Sequence, residues 1–177
     1  MLVKKNHIYG GVSFLVVGVA VTLYLSRKAL YRSFDYKTNL LLLTLEADFR
    51  AKVRKLLIKA RNEGIELRVI SAHRDCEEQN ELYAKGRTLP GKIVTNAKCG
   101  QSAHNYRRAV DVVEFRNGVP IWENPNWEII GRLGESLGLQ WGGRWKSIKD
   151  KPHFQDLQGY SIAQRYDQFL ATGNFTT

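Results

Sequence analysis

"RAVDVVEFRNGVPIW", residues 108–122, reads as two β-strands folded around a tight turn. β-Branched and aromatic residues flank Arg116-Asn117-Gly118, and Asn-Gly is the pair that most readily supplies the positive φ angles of a short hairpin loop. A second run, "IELRVISA" (65–72), alternates and is rich in β-branched side chains, so it supplies another strand. Elsewhere the apolar period lengthens to three and four. Over 39–62, Leu42, Leu45, Phe49, Val53, Leu56 and Ala60 fall on one helical face, with Arg50, Lys52, Arg54, Lys55 and Lys59 between them. This predicts one amphipathic helix ended by Gly64, its basic face turned to solvent.

"DCEEQNELYAKG" (75–86) has the helix formers and terminal glycine of a short helix, and "RTLPGKIVTNAKCG" (87–100) follows as a loop. "NPNWEIIGRLGESLG" (124–138) gives a further helix with Ile129, Ile130 and Leu133 inward. "LQWGGRW" (139–145) reads as a strand and loop, and "SIAQRYDQFLATG" (161–173) as a closing helix. There is no internal repeat or low-complexity tract. The expected fold class is α+β, a small antiparallel sheet with surrounding helices.

The chain has 177 residues, 44% of them hydrophobic and 25% charged, which suits one globular domain with a core. A net charge of +10 directs the surface toward anionic partners: nucleic acid, acidic lipid or the anionic polymers of a bacterial wall. The absence of any nucleic-acid-binding motif argues against the first. Cys76 and Cys99 are too few for a disulfide scaffold and lack CxxC spacing; they fit either one bridge in an oxidising compartment or two packed thiols.

"IYGGVSFLVVGVAVTLYL" (8–25) carries no charge over eighteen residues, long enough at helical rise to cross a hydrocarbon core of ~30 Å. It reads as a membrane anchor, with a cleaved signal segment as the rival, since Lys4 and Lys5 precede it. The expected organisation is an anchor over 1–25, preceding the α+β fold as one transmembrane helix, a basic linker over 26–38 and a globular domain over 39–177. Flanking charge is close to balanced between Lys4 and Lys5 on one side and Arg27, Lys28, Arg32 and Lys37 on the other, leaning slightly toward a cytoplasmic body, so it does not fix the orientation.

Of four histidines, His7 flanks the apolar segment, leaving His73, His104 and His153. A hydrolytic zinc site needs three protein ligands and an open position, and two histidines with a carboxylate are a common set. His104 and Asp111, seven residues apart in "GQSAHNYRRAVDVVEF" (100–115), say little alone, because short motif matches are weak. "DKPHF" (150–154) adds to them. There Asp150 precedes His153 by three residues, close enough to reach a water beside the metal without ligating it.

Taken in order, "SAHRDCEEQNELYAKGRTLPGKIVTNAKCGQSAHNYRRAVDVVEF" (71–115) and "WGGRWKSIKDKPHFQ" (141–155) resemble the zinc peptidases of bacterial wall peptides, the group of the D-alanyl-D-alanine carboxypeptidases and dipeptidases. They are most similar to its L-alanyl-D-glutamate endopeptidase branch, where the base is an aspartate rather than a glutamate. The resemblance implies one zinc ion held by His104, Asp111 and His153. It implies Asp150 as the base that takes a proton from the attacking water and returns it to the leaving amine, and Arg74 as the guanidinium that polarises the scissile carbonyl. Ser102 matches the motif serine near the substrate backbone; Gln79, Gly86 and Thr95 fit the pattern around the loop that shapes the site. Trp141, with Trp145 and Tyr106, is a candidate for the substrate groove or for the core.

One position departs from that family: its His-x-x-Gly-x-Ala-x-Asp motif here reads "HNYRRAVD" (104–111), with Arg107 at the glycine. Glycine there permits a backbone conformation that arginine resists. His73 stands where the family carries an aromatic residue and is expected as a packed ring, not a ligand. Glu114 is expected on the opposite strand face from Asp111. A murein substrate would put the catalytic domain in the periplasm, with residues 8–25 crossing the inner membrane N-in, C-out. A Cys76–Cys99 bridge would then pin the active-site loop. A D,D-carboxypeptidase or dipeptidase, or a wall-binding module without turnover, are the alternatives.

Overall fold

The computed structural model describes residues 34–146 and 148–175. The apolar stretch 8–25 lies outside them; among the described residues no helix is long and apolar enough to cross a membrane. The described residues from Tyr36 onward belong to one compact unit. Its elements in chain order are helices α1 (Tyr36–Leu43) and α2 (Ala47–Asn62), strand β1 (Leu67–Ser71), α3 (Cys76–Ala84), β2 (Ala109–Arg116), β3 (Val119–Ile121), α4 (Trp127–Glu135), β4 (Gln140–Trp141), a 3-10 turn (Gly142–Arg144), β5 (His153–Gln155) and α5 (Ile162–Thr172). The fold is α+β, as the periodicities predict.

All strand pairs are antiparallel. β2 is the spine: β1 lies along one side, and on the other β5 pairs with its beginning and β3 with its end, while β4 extends the sheet beyond β5. The hairpin between β2 and β3 turns at Asn117 and Gly118, both with positive φ, 52° and 78°. A register shift between Val69 and Ser71 in β1 brings Ser71 opposite Asp111, next to the site.

The core lies between the sheet and α2, whose Phe49, Val53, Leu56, Leu57 and Ala60 are buried against α4 and β1. Each of the larger side chains contributes roughly 1.5–3 kcal/mol by leaving water. The helix expected over 39–62 is broken in two, and its first part begins at Tyr36, inside the expected linker. Thr44 turns its hydroxyl back to Leu41 O at 2.7 Å, and the Glu46 N–H leaves the helical ladder to donate to Arg107 O at 3.1 Å. That side-chain bond competes with helix propagation, and the Glu46 bond ties α2 to the loop before β2.

Two helical glycines set how closely α4 approaches the sheet. A Cβ added to Gly131 would meet the Trp141 ring at 2.2 Å, and one on Gly134 would meet the Phe154 ring at 2.2 Å. α5 starts at a capping box, Ser161 with Gln164, and stops at Gly173 with φ 69°, where a left-handed residue closes a helix at little cost.

Candidate active site

β2 and β5 set Asp111 directly opposite His153. His153 Nδ1 lies 3.1 Å from Asp111 Oδ1, and His104 Nε2 lies 3.4 Å from the same oxygen. The ligand atoms of all three residues fall within 4.8 Å of one another. His104 arrives from the turns before β2, where its ring is buried and its Nδ1 sits 2.5 Å from Ala72 O. A carbonyl accepts only, so Nδ1 carries the hydrogen and Nε2 faces the cluster with its lone pair. His153 Nε2 lies 3.0 Å from Gln155 Oε1, which leaves Nδ1 toward Asp111. Two imidazole nitrogens and a carboxylate oxygen, each ring held from behind, are the donor chemistry of a zinc site, so the residues present fit that ion.

Arg74 completes the wall next to Asp111. Its Nη2 donates to Asp111 Oδ2 at 2.6 Å, and Nε and Nη2 both donate to Ser71 Oγ. Asn105, buried beside His104, donates to Arg74 O at 2.9 Å and accepts from Gly100 N. Asp150 is half-buried at the start of the turn into β5: its N–H donates to Gly142 O, and its carbonyl accepts from His153 N at 3.2 Å. A Cβ on Gly142 would lie 2.4 Å from Asp150 O, so the "WGG" before the turn admits the backbone that carries the aspartate.

Burial pushes the Asp150 carboxyl up, with His153 opposing and the negative Asp111 reinforcing. Burial would also raise Asp111, but the adjoining His104 and His153 rings outweigh it and hold it well below the usual carboxylate range. Burial lowers His104. It acts on His153 in the same sense, but there the Asp111 carboxylate prevails and the ring is raised. The cluster therefore concentrates negative charge at Asp111 between two rings.

The expected ligands His104, Asp111 and His153 meet. His73 stands outside the group; its N–H donates to Thr44 Oγ1, and burial lowers its ring. Glu114 is buried, bound to Asn126 and Arg116. Ser102 Oγ accepts from His104 N at 3.4 Å. Gln79 is fully buried: its Nε2 donates to Ala97 O at 2.7 Å while its Oε1 has no hydrogen-bond partner among the described residues, and Thr95 Oγ1 accepts from Ala97 N, so both are tied to the loop.

For Trp141, groove and core were both open. It is buried, donates Nε1–H to Lys151 O at 2.7 Å and stacks on Phe154, so it braces the turn instead of lining a groove. Trp145, half-buried with its ring 5.0 Å from that of His153, is the tryptophan at the site. Tyr106 is buried, its hydroxyl bound to Gly100 O, and burial raises it to about 12. Cys76 and Cys99 form a disulfide. Asn80 Oδ1 accepts from Cys99 N beside it. Arg107 occupies the left-handed region with φ 57°: the backbone keeps the glycine-like conformation, and the arginine is strained into it. Gln155, Gln140 and Asn105 were not among the expected site residues; the one local signal was the two-residue spacing of Gln155 from His153, which puts both on one strand face.

A small antiparallel α+β domain with a His–Asp–His group beside an arginine and a half-buried aspartate is the class that fold and site define. Residues 95–156 match the family model described as D-alanyl-D-alanine carboxypeptidase. The chain is 40% identical over 106 residues to peptidoglycan L-alanyl-D-glutamate endopeptidase CwlK of Bacillus subtilis (strain 168), covering 54% of this chain and 64% of that protein. It is 27% identical over 133 residues to L-alanyl-D-glutamate peptidase of Listeria phage A118, 72% of this chain and 44% of the phage protein. The match thus spans less than two thirds of either relative. In structure it is similar to the Serratia marcescens L-Ala D-Glu endopeptidase ChiX, with TM-score 0.53 and 27% identity over 69% of this chain and 87% of that one. It also shares the fold of VanYB in complex with D-Alanine-D-Alanine, with TM-score 0.51 and 18% identity over 73% and 84%. The chain's resemblance to the D-alanyl-D-alanine carboxypeptidase and L-alanyl-D-glutamate endopeptidase family holds in both sequence and fold.

Proposed function

We propose that this chain is a zinc-dependent peptidoglycan peptidase that hydrolyses the L-alanyl-D-glutamate bond of the stem peptide. The observation that carries it is the strand register pairing Asp111 with His153, which closes a three-ligand group against Arg74 with Asp150 at its rim. Its relatives in Bacillus subtilis, Serratia marcescens and the Listeria phage carry L-alanyl-D-glutamate peptidase names and support the choice of bond.

His104, Asp111 and His153 would hold one zinc ion, which when bound supplies Lewis acidity toward a carbonyl and a water. Arg74, clamped by Ser71 and Asp111, is a fixed cation for the negative charge that develops on the carbonyl oxygen. The Asp150 carboxylate takes the proton of the attacking water and delivers it to the leaving amine. Trp145 shields one side of the His153 ring.

The Cys76–Cys99 disulfide favours an oxidising compartment. With the uncharged stretch 8–25, it supports a single-pass inner-membrane protein whose catalytic domain faces the periplasm, retained near anionic wall or lipid by its +10 charge. A D,D-carboxypeptidase is the second reading, favoured by the description of the matching family model.

Digestion of purified murein by the full-length chain, with mass analysis of the products, tests the proposal. Fragments beginning at D-glutamate are expected, lost with chelator and reduced about 10²–10⁴-fold in Asp150→Ala. Release of free D-alanine instead would establish the second reading. No product with zinc present would leave a wall-binding module, and equal product from the variant would overturn Asp150 as the base.

A further inference from the structure

β5 carries His153 and Gln155 on one face, and β4 sets Gln140 directly opposite Gln155. Their polar atoms are joined in succession. His153 Nε2 lies 3.0 Å from Gln155 Oε1, and Gln155 Nε2 donates to Gln140 Oε1 at 3.0 Å. With its amide nitrogen donating to Gln140, Gln155 turns its carbonyl oxygen to the ring, an acceptor that suits a ring hydrogen on Nε2. A neutral imidazole has one such hydrogen. Nδ1, 3.1 Å from Asp111 Oδ1, is therefore left with its lone pair inside the cluster.

Without that acceptor, the tautomer best satisfied by the remaining neighbours is the opposite one. Asp111 would draw the hydrogen to Nδ1, where a direct Nδ1–H···Oδ1 bond occupies both atoms a cation needs. The pull from Asp111 is local, since its Oδ1 lies 3.1 Å from Nδ1 while Oδ2 accepts from Arg74.

We propose that Gln155, itself oriented by Gln140, is a positioning residue that selects the Nε2–H form of His153 and so keeps the metal-binding nitrogen free. This inference rests on reading the His104, Asp111 and His153 group as a zinc site. Gln155 touches neither the ion nor the substrate; it acts through the ring. The cross-strand pair Gln140 and Gln155 thus ties the edge strand β4 to the cluster.

The test uses the full-length chain with ring-15N-labelled histidine, whose four residues are few enough to assign, compared with Gln155→Leu, Gln155→Glu and Gln140→Leu. In the metal-free protein, at alkaline pH where the ring is neutral, His153 is expected as Nε2–H in the wild type and as Nδ1–H in Gln155→Leu. Zinc competition should show a loss of about tenfold or more in Gln155→Leu, a smaller loss in Gln140→Leu, and affinity retained within about threefold in Gln155→Glu, whose carboxylate can only accept. If Gln155→Leu keeps the Nε2–H ring and binds zinc as the wild type does, the inference is overturned. A wild type that binds no zinc would sink the metal-site reading instead, while the tautomer signals still decide what Gln155 does.

Discussion

The two walls of the site are held in place by different means. Asp111 and His153 face each other across a strand pair, so their separation is a property of sheet register. His104 and Arg74 hang on irregular backbone, fixed by bonds from Ala72, Asn105 and Ser71, and the neighbouring loop is closed covalently between Cys76 and Cys99. A ladder distributes positional accuracy over many backbone bonds, whereas a loop must obtain it from single contacts. The loop wall should therefore fail piecemeal and the strand wall as a whole.

The largest effect is expected where the walls meet. Asp111→Ala removes a ligand and leaves Arg74 without its carboxylate, so zinc binding should vanish and murein cleavage should drop about 10³-fold or more, several kcal/mol of transition-state stabilisation. Zinc titration and product release check it; a variant that still binds zinc tightly would break the idea that the walls share this residue.

Next is the bridge. Replacing Cys76 and Cys99 together by serine should cost about 3 kcal/mol, the loop-closure contribution for a loop of this size, read in urea unfolding. Hydrogen exchange separates the walls: amides around 97–105 should lose protection while those of β2 and β5 keep theirs. Equal loss in both would mean that the strand wall also depends on the loop.

Arg107→Gly tests strain at the junction of the two. A left-handed arginine costs about 1–2 kcal/mol, partly offset by the greater unfolded-state freedom of glycine, so a net gain of up to about 1 kcal/mol is expected in the same unfolding experiment. A destabilised variant would show that the arginine side chain compensates for its backbone.

The smallest effect lies behind the loop wall, where Arg108 holds Asp48 through two bonds of 3.1 and 3.0 Å. The Arg108 hydrogen bond lowers the folded pKa of Asp48, with burial opposing it. Its contribution is therefore complete above the unfolded carboxylate value and disappears as pH falls through the lowered folded one. Asp48→Asn should flatten stability over that acidic interval and leave it unchanged at neutral pH beyond the loss of the pair; an unaltered pH profile would contradict the assignment.

What could be read from sequence follows the same division. The hairpin was legible because Asn117 and Gly118 act locally, and so were α3, α4 and α5, whose caps and periodicity lie within a few residues. The meeting of His104, Asp111 and His153 was legible only through ordered motifs, since no local rule places residue 153 opposite residue 111. β5, three residues long, was invisible: its strand character comes from its partners. The break at Thr44–Glu46 was hidden because the apolar spacing continues across it while the cause, the Arg107 carbonyl, lies far along the chain. Trp141 could have been groove or core by type alone, and only the close approach of α4 decides it. The cysteines left pairing and free thiols equally open until their Cα atoms were seen 4.7 Å apart.

The bare faces of Gly131 and Gly134 have a consequence for altering this molecule. In an exposed helix, exchanging glycine for alanine gains up to about 1 kcal/mol, and a survey by helix propensity would choose these positions first. Here each new methyl would strike a ring, Trp141 or Phe154, and Phe154 is the residue next to His153. Displacing that ring would lift β5 from the sheet and carry the ligand with it. The two glycines act as a spacer gauge, setting the height of a metal ligand they never touch, and the exchange that is favourable in a free helix would here detune the site.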